Sequence, residues 1–274
     1  MIISDDPLGC MVRLEDFPSR HVPARHVDVW LPAGYEIDTE RRYSVLYIHD
    51  GQNCFLAEYC PYGVPWDVQS AMERLAAAEE VEPAIIVAVW SISPLRYLEY
   101  QPARPFLHLS EVAQRRILAG LGGWPHSDSY LAFIVEELKP YIDAHYRTRP
   151  DRAHTAIMGS SMGGLISLHA ICEYPDVFGA AGCVSTHWPA VEGVIVPYLR
   201  ERLPDPATHR IYFDFGTETL DALYRPTQML VDDLMPAAGY EPDVNWMTRV
   251  FPSARHFEAD WAMRVHIPIK FMLS

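Results

Sequence analysis

The chain has 274 residues, 49 % of them apolar and 21 % charged, which is enough to bury a full core and ordinary for a folded protein, so disorder is not the expectation. With 36 acidic residues against 22 basic ones the formal charge is −14, which works against a nucleic-acid partner because each phosphate contact needs a cation. Five cysteines (Cys10, Cys54, Cys60, Cys172 and Cys183) form an odd, scattered set with no C-x-x-C pair, which speaks against a zinc site or a dense disulfide framework.

The N-terminus, MIISDDPLGCMVRLEDF, opens on acidic residues and lacks the cationic stretch and apolar run of a secretory signal. No apolar stretch approaches the ~20 residues needed to span a bilayer, so no membrane partner is expected. A reducing, cytoplasmic setting is the expectation. Export of a processed form stays open, as does a Cys54–Cys60 bridge.

RHVDVWLP (25–32) alternates in polarity and reads as an edge strand closed by Pro32. YSVLYIHD (43–50) and AIIVAVW (84–90) are nearly continuous apolar runs, the mark of inner strands. Between them, residues 66–81 place Val68, Met72 and Leu75 on one helical face. Residues 91–128 break the rhythm with a long excursion rich in Pro, Gly and aromatics. Such a length is usually functional or disordered, and the aromatic content points to packing over the sheet edge beside a substrate pocket. Residues 129–148 have helical spacing that Pro140 should kink or interrupt. HTAIMGS (154–160) reads as a strand and SMGGLISLHAICEY (161–174) as a helix. VFGAAGCVS (177–185), HRIYFDFG (209–216) and PDVNWMTRVF (242–251) supply further strands. A helix is expected in the later part of 221–239, with Pro226 near its first turn, and a terminal helix within 256–273, up to Pro268. This alternation predicts one α/β domain over 1–274, a mostly parallel sheet with helices on both faces.

Gly159-Ser160-Ser161-Met162-Gly163 is a G-x-S-x-G pattern, weak in isolation. Its setting strengthens it, because an inner strand passes directly into a helix as a nucleophile elbow of the α/β-hydrolase fold requires. The flanking glycines leave room for the tight turn, which exposes the Ser161 hydroxyl beside the positive end of the helix. The bland alternative is a glycine-rich turn in which Ser161 only caps the helix. Ser160, at the x position, is read as structural.

A serine nucleophile needs a base steered by a carboxylate, and in this fold the chain order is Ser, acid, His. His209 begins a strand and belongs to the opposite sheet end, and His266 lies in the terminal helix. His256 sits in a polar loop just beyond strand 242–251, where the carboxyl ends of parallel strands gather active-site groups. It is the expected base. Asp221, beyond strand 209–216, is the first choice of acid, with Asp214 and Glu218 in competition. The oxyanion donors should be the backbone N–H groups of Met162 and, in the loop after strand 43–50, Gln52. Trp66, Tyr97, Tyr100, Trp124 and Trp188 are candidate pocket walls that could equally be core. His187 is a further pocket candidate that precedes every good acid.

HDGQN, GSSMGG, STHWP, DFGTETLDALY and RHFEADW together resemble the putative esterase family. This is the esterase-D-like or enterochelin-esterase-like branch of the α/β-hydrolases, which also includes feruloyl esterases and mycolyltransferases. The likeness runs from about residue 25 to 273. It implies a mostly parallel sheet with an antiparallel N-terminal edge, and implies the same roles for Ser161, Asp221, His256, Gln52 and Met162. The expected activity is hydrolysis of a small-molecule or sugar-linked ester through an acyl-enzyme, with no metal or organic cofactor. The rival readings are an acyltransferase using a sugar or other alcohol, and an inactive binding protein with the same fold.

Overall fold

A computed structural model describes residues 2–6, 9–191 and 193–274. Its centre is a nine-stranded sheet. The strands are β1 (Ile2–Asp6), β2 (Gly9–Phe17), β3 (Arg25–Pro32), β4 (Ser44–His49), β5 (Ala84–Val89), β6 (Thr155–Ser160), β7 (Ala180–Val184), β8 (Arg210–Gly216) and β9 (Trp246–Phe251). Their spatial order is β1-β2-β3-β5-β4-β6-β7-β8-β9. From β5 to β9 every pairing is parallel, while β1, β2 and β3 add an antiparallel edge. The α/β-hydrolase architecture expected from the sequence is thus present.

The strand read as an edge is an inner one. β3 is hydrogen-bonded to β2 on one side and to β5 on the other. The polar residues that suggested a solvent face are buried ion pairs instead: Asp28 takes Arg13 at 2.7 Å, and Arg25 takes Glu99 at 2.6 Å. A buried charge survives when a partner and hydrogen bonds replace its water. Polarity alone therefore misplaces the strand.

Eleven α-helices cover the sheet among the described residues: α1 (Val68–Ala77), α2 (Arg96–Tyr100), α3 (Ala103–Leu107), α4 (Glu111–Leu121), α5 (Ser127–Ala132), α6 (Lys139–His145), α7 (Met162–Glu173), α8 (Ile195–Arg202), α9 (Arg225–Ala237), α10 (Glu258–Ala262) and α11 (His266–Leu273). One core joins alternate strand residues such as Val45, Tyr47 and Ile157 to α5–α9. The other joins Leu46, Ile48 and Met158 to α1 and α11. This period-2 division between faces is what a doubly covered sheet imposes. Helix α7 is buried almost throughout, so it carries no polar stripe.

Three of the irregular segments have clear causes. Between α5 and α6 the chain takes a π-helical turn, Phe133–Leu138, just before Pro140, which lets the proline ring and its missing N–H be accommodated without ending the helix. The excursion 91–128 is helical in α2, α3 and α4, and buries Tyr100 and Phe106 completely. The single terminal helix expected up to Pro268 is two helices, and Pro268 lies in the first turn of α11, where no intrahelical N–H bond is lost. No described helix is long and apolar enough to cross a membrane. Cys54 and Cys60 are separate buried thiols, with Cys60 Sγ donating to the Leu56 and Gln52 carbonyls.

Candidate active site

The parallel register aligns Ser160 with Val184, Val184 with Asp214, and Gly216 with Phe251. The loops that leave β6, β7, β8 and β9 therefore emerge at one sheet edge. Ser161 is the first residue beyond β6 and adopts φ 58°, ψ −122°, a backbone conformation costly for any residue but glycine. Three bonds hold it there: Ser161 N–H donates to Val184 O at 2.9 Å, and His187 and Leu165 N–H both donate to Ser161 O at 3.1 Å. A Cβ at Gly159 would lie 2.8 Å from Gly163 C, and one at Gly164 would lie 2.9 Å from Val184 O. The elbow thus needs glycine at both positions.

Met162 is the first residue of α7, so its N–H has no intrahelical acceptor. Across from it, Asp50 turns left-handed (φ 56°) and opens a 3-10 turn over Gly51–Asn53 that contains Gln52. Gly51 is there because a Cβ would come within 2.5 Å of the Ala88 carbonyl of β5. Arg96 clamps the loop, donating to both Asp50 oxygens at 2.7 and 2.8 Å.

Asp221 and His256 meet where the loops after β8 and β9 are stitched together. Thr217 and Glu218 N–H both donate to Ala254 O, at 3.1 and 3.0 Å, and His256 N–H donates to Thr219 Oγ1 at 2.8 Å. His256 Nδ1–H then donates to Asp221 Oδ1 at 2.5 Å, the carboxylate being acceptor-only. That leaves Nε2 as the free ring nitrogen. Asp214 is elsewhere, fully buried and paired to Arg264 Nη2 at 3.0 Å and to Tyr212 O–H at 2.9 Å, while Glu218 is exposed. Ser161 and His256 line one cavity of about 500 Å³ together with Gln52, Arg96 and Glu258.

The family model described as "Putative esterase" matches residues 23–231. The chain belongs to the putative esterase family. This esterase is 25 % identical over 197 residues to YbbA of Bacillus subtilis (strain 168), an alignment covering 71 % of the chain and 68 % of YbbA. It is 28 % identical over 159 residues to the ferri-bacillibactin esterase BesA of the same organism, covering 53 % of the chain and 49 % of BesA. Among solved structures, a ferulic acid esterase superimposes with TM-score 0.70 at 23 % identity, covering 96 % of this chain and 97 % of that one. The protein is a carboxylic ester hydrolase.

Of the candidate pocket residues, Tyr97 and His187 line the esterase's cavity. The other four do not. Trp66 is buried against Trp261 at 5.8 Å, and Trp188 is buried and donates to Gln228 Oε1 at 3.1 Å. Tyr100 is buried, with its hydroxyl accepting from Asp50 N–H at 3.2 Å. Trp124 is half-exposed and packs edge-on against Phe106. Aromatic residues near a motif fill cores as readily as they line walls, which is why spacing could not sort them. Ser160, read as structural, is buried yet reaches the cavity wall.

Electrostatics grade these groups. Burial alone would raise the Asp221 carboxyl, but the hydrogen bonds from His256, Ser185 Oγ–H and Gly216 N–H outweigh it and hold Asp221 below its ordinary value. For Asp214 burial wins against Arg264, and the carboxyl sits above its usual range. His187 is pushed down to about 4 by burial first, with His256 and the Arg96 guanidinium acting in the same direction, so it is neutral at physiological pH.

Two positioning groups escaped the sequence reading. Tyr224 is fully buried, with its hydroxyl 2.9 Å from His187 Nδ1 and 3.5 Å from His256 Nδ1. Ser185, left-handed at φ 42°, lies between Asp221, Trp261 and Arg264. Ser185 follows β7 as Ser161 follows β6, a positional signal that could have found it. Tyr224 had none beyond its place one turn after Asp221.

Proposed function

We propose that the ester hydrolase is a serine enzyme in which Ser161, His256 and Asp221 act as nucleophile, base and steering acid. The observation that carries this reading is the 2.5 Å Asp221–His256 bond at the edge of the cavity that also exposes the elbow residue Ser161. As Ser161 Oγ bonds to the ester carbon, its proton passes to His256 Nε2, and the carbonyl electrons move onto an oxyanion facing the Gln52 and Met162 N–H groups. The C–O bond to the alcohol then breaks, and the leaving oxygen takes the proton from His256. Water repeats the sequence on the acyl-enzyme, its proton going to His256 and back to Ser161. These steps need only the side chains and backbone donors named.

The substrate is proposed to be a small-molecule ester. Two lines support this: proteins similar to this esterase are named as a ferri-bacillibactin esterase, a siderophore triacetylfusarinine C esterase and a ferulic acid esterase, and a 500 Å³ cavity suits a small molecule. A tagged fluorophosphonate tests the nucleophile. Labelling at neutral pH that maps to Ser161 and disappears in S161A supports the reading, whereas an unlabelled wild-type protein, or a label on Ser160, overturns it.

A further inference from the structure

Glu258 is 8 % exposed, yet it lines the cavity that holds Ser161 and His256. A carboxylate this deep normally has a cation or several donors around it. Here Arg96, which shares the cavity wall, is committed to Asp50, and Arg255, three residues earlier in the chain, to Asp260. Among the described residues no ion pair or side-chain hydrogen bond reaches Glu258, and burial pushes its carboxyl above the ordinary range. A second unspent acceptor is in the same wall. Asn53 Oδ1 is buried without a partner.

We infer that Glu258 is a specificity-determining residue that accepts hydrogen bonds from hydroxyl groups on the leaving alcohol of the ester. This rests on the catalytic reading above. His256 hands its proton to the leaving oxygen, so the alcohol must sit beside His256, and Glu258 is two residues further on, at the first position of α10. A carboxylate that opens on the cavity with no side-chain donor of its own, next to a buried amide oxygen that has none, calls for a donor-bearing ligand. A cationic alcohol is disfavoured because the same space faces the Arg96 guanidinium and the imidazolium that forms on His256 during acylation. Neighbouring hydroxyls satisfy both carboxylate oxygens without adding charge.

The test uses benzoate esters that share one acyl group and differ only in the alcohol: 1-propanol, glycerol (through its 1-position), 2,3-dimethoxypropanol and choline. The wild-type protein is expected to favour the glyceryl over the propyl ester by roughly 10- to 100-fold in kcat/KM, the scale of a charge-assisted hydrogen bond. The dimethoxypropyl ester, with its donors removed, should fall back to the propyl level. In E258L the glyceryl-to-propyl ratio should approach one, and in E258Q, which keeps one acceptor, it should lie between. Equal rates on glyceryl and dimethoxypropyl esters overturn the proposal with no variant needed. So does an unchanged ratio in E258L, or a preference for the choline ester. Those outcomes leave the serine mechanism standing. Failure to cleave any of the four, with no fluorophosphonate labelling, overturns the mechanism and this inference together.

Discussion

The Ser185 hydroxyl donates to Asp221 Oδ2 at 2.7 Å, and its oxygen accepts from both Trp261 Nε1–H and Arg264 Nη2 at 2.9 Å. Its one donor and two acceptor positions are thereby all used. Asp221 in turn receives Ser185 and Gly216 N–H on one oxygen and His256 on the other. The imidazole is thus oriented by a carboxylate that cannot rotate without breaking three bonds. S185A should leave the protein folded and lower kcat about tenfold, a figure set by one hydrogen bond to a charged group. KM should change little, because Ser185 does not line the cavity. Steady-state kinetics on a chromogenic ester check this. An unchanged circular dichroism spectrum and urea midpoint beside that loss identify the hydrogen bond, and not unfolding, as the cause.

The three carboxyl candidates separate by environment. Asp221 alone touches His256. D221N keeps the shape but removes the charge that fixes the Nδ1–H tautomer, so kcat should drop on the order of 10⁴-fold, as the corresponding change does in a serine protease. D214N strips a buried partner from Arg264, and its main effect should be a lost stability of about 3–5 kcal/mol. E218Q, at an exposed position, should stay within about twofold of the wild type. Kinetics alongside urea unfolding of all three variants decide the matter, and a crippled but stable D214N would contradict this assignment.

Much of this site was legible from the chain because its chemistry is bound to element ends: Ser161 follows β6, His256 follows β9, and Asp50-Gly51-Gln52 follows β4. What stayed hidden depends on register and burial. Asp214 and Asp221 are seven residues apart, and only the folded structure shows the first pointing into the Tyr212–Arg264 network and the second reaching His256. β1 and β2 were missed because their pairings carry register shifts and their sequences are largely polar, and Arg13 finds its partner, Asp28, on a strand fifteen residues later. Glu258 was not singled out, because nothing in HFEADW reveals that its carboxylate is buried at the cavity wall with Arg96 already taken by Asp50.

Stability should decline as the pH falls below neutrality. His49 is buried, bonded through Nδ1 to Tyr130 O–H at 2.8 Å, and its Nε2 has no partner, so burial lowers its titration to about 3 despite Asp50 beside it. The unfolded chain takes up that proton near 6.5. Between those values the unfolded state binds more protons, so stability rises with pH and is lost on acidification toward about 3. His187 adds the same sign between 6.5 and about 4. Each contributes up to about 1.4 kcal/mol per pH unit. Urea midpoints at pH 7, 6 and 5 should fall in the wild type and fall less steeply in H49Q. A flat wild-type profile would mean that both rings find a proton-accepting setting in the fold.

The last prediction concerns the strand end that brings acid and base together. Gly216 closes β8, donates its N–H to Asp221 Oδ2 at 2.6 Å, and lies so close to the loop after β9 that an added Cβ would be 2.1 Å from Ala254 O and 3.1 Å from that same carboxylate oxygen. Neither neighbour can yield freely: Ala254 O accepts from Thr217 and Glu218 N–H, and Asp221 is held by Ser185 and His256. G216A must therefore push the two loops apart. A backbone overlap of this kind costs several kcal/mol in other proteins, and here the displaced parts carry the base and its acid. Activity should fall by at least a hundredfold, even at temperatures where circular dichroism shows the chain still folded. G120A is the matched control, since a Cβ there meets nothing within 4 Å. Placed in helix α4, it should raise stability by about 0.5–1 kcal/mol and leave turnover unchanged. A G216A protein with wild-type turnover would show that the loop contact between β8 and β9 does not set the His256–Asp221 geometry.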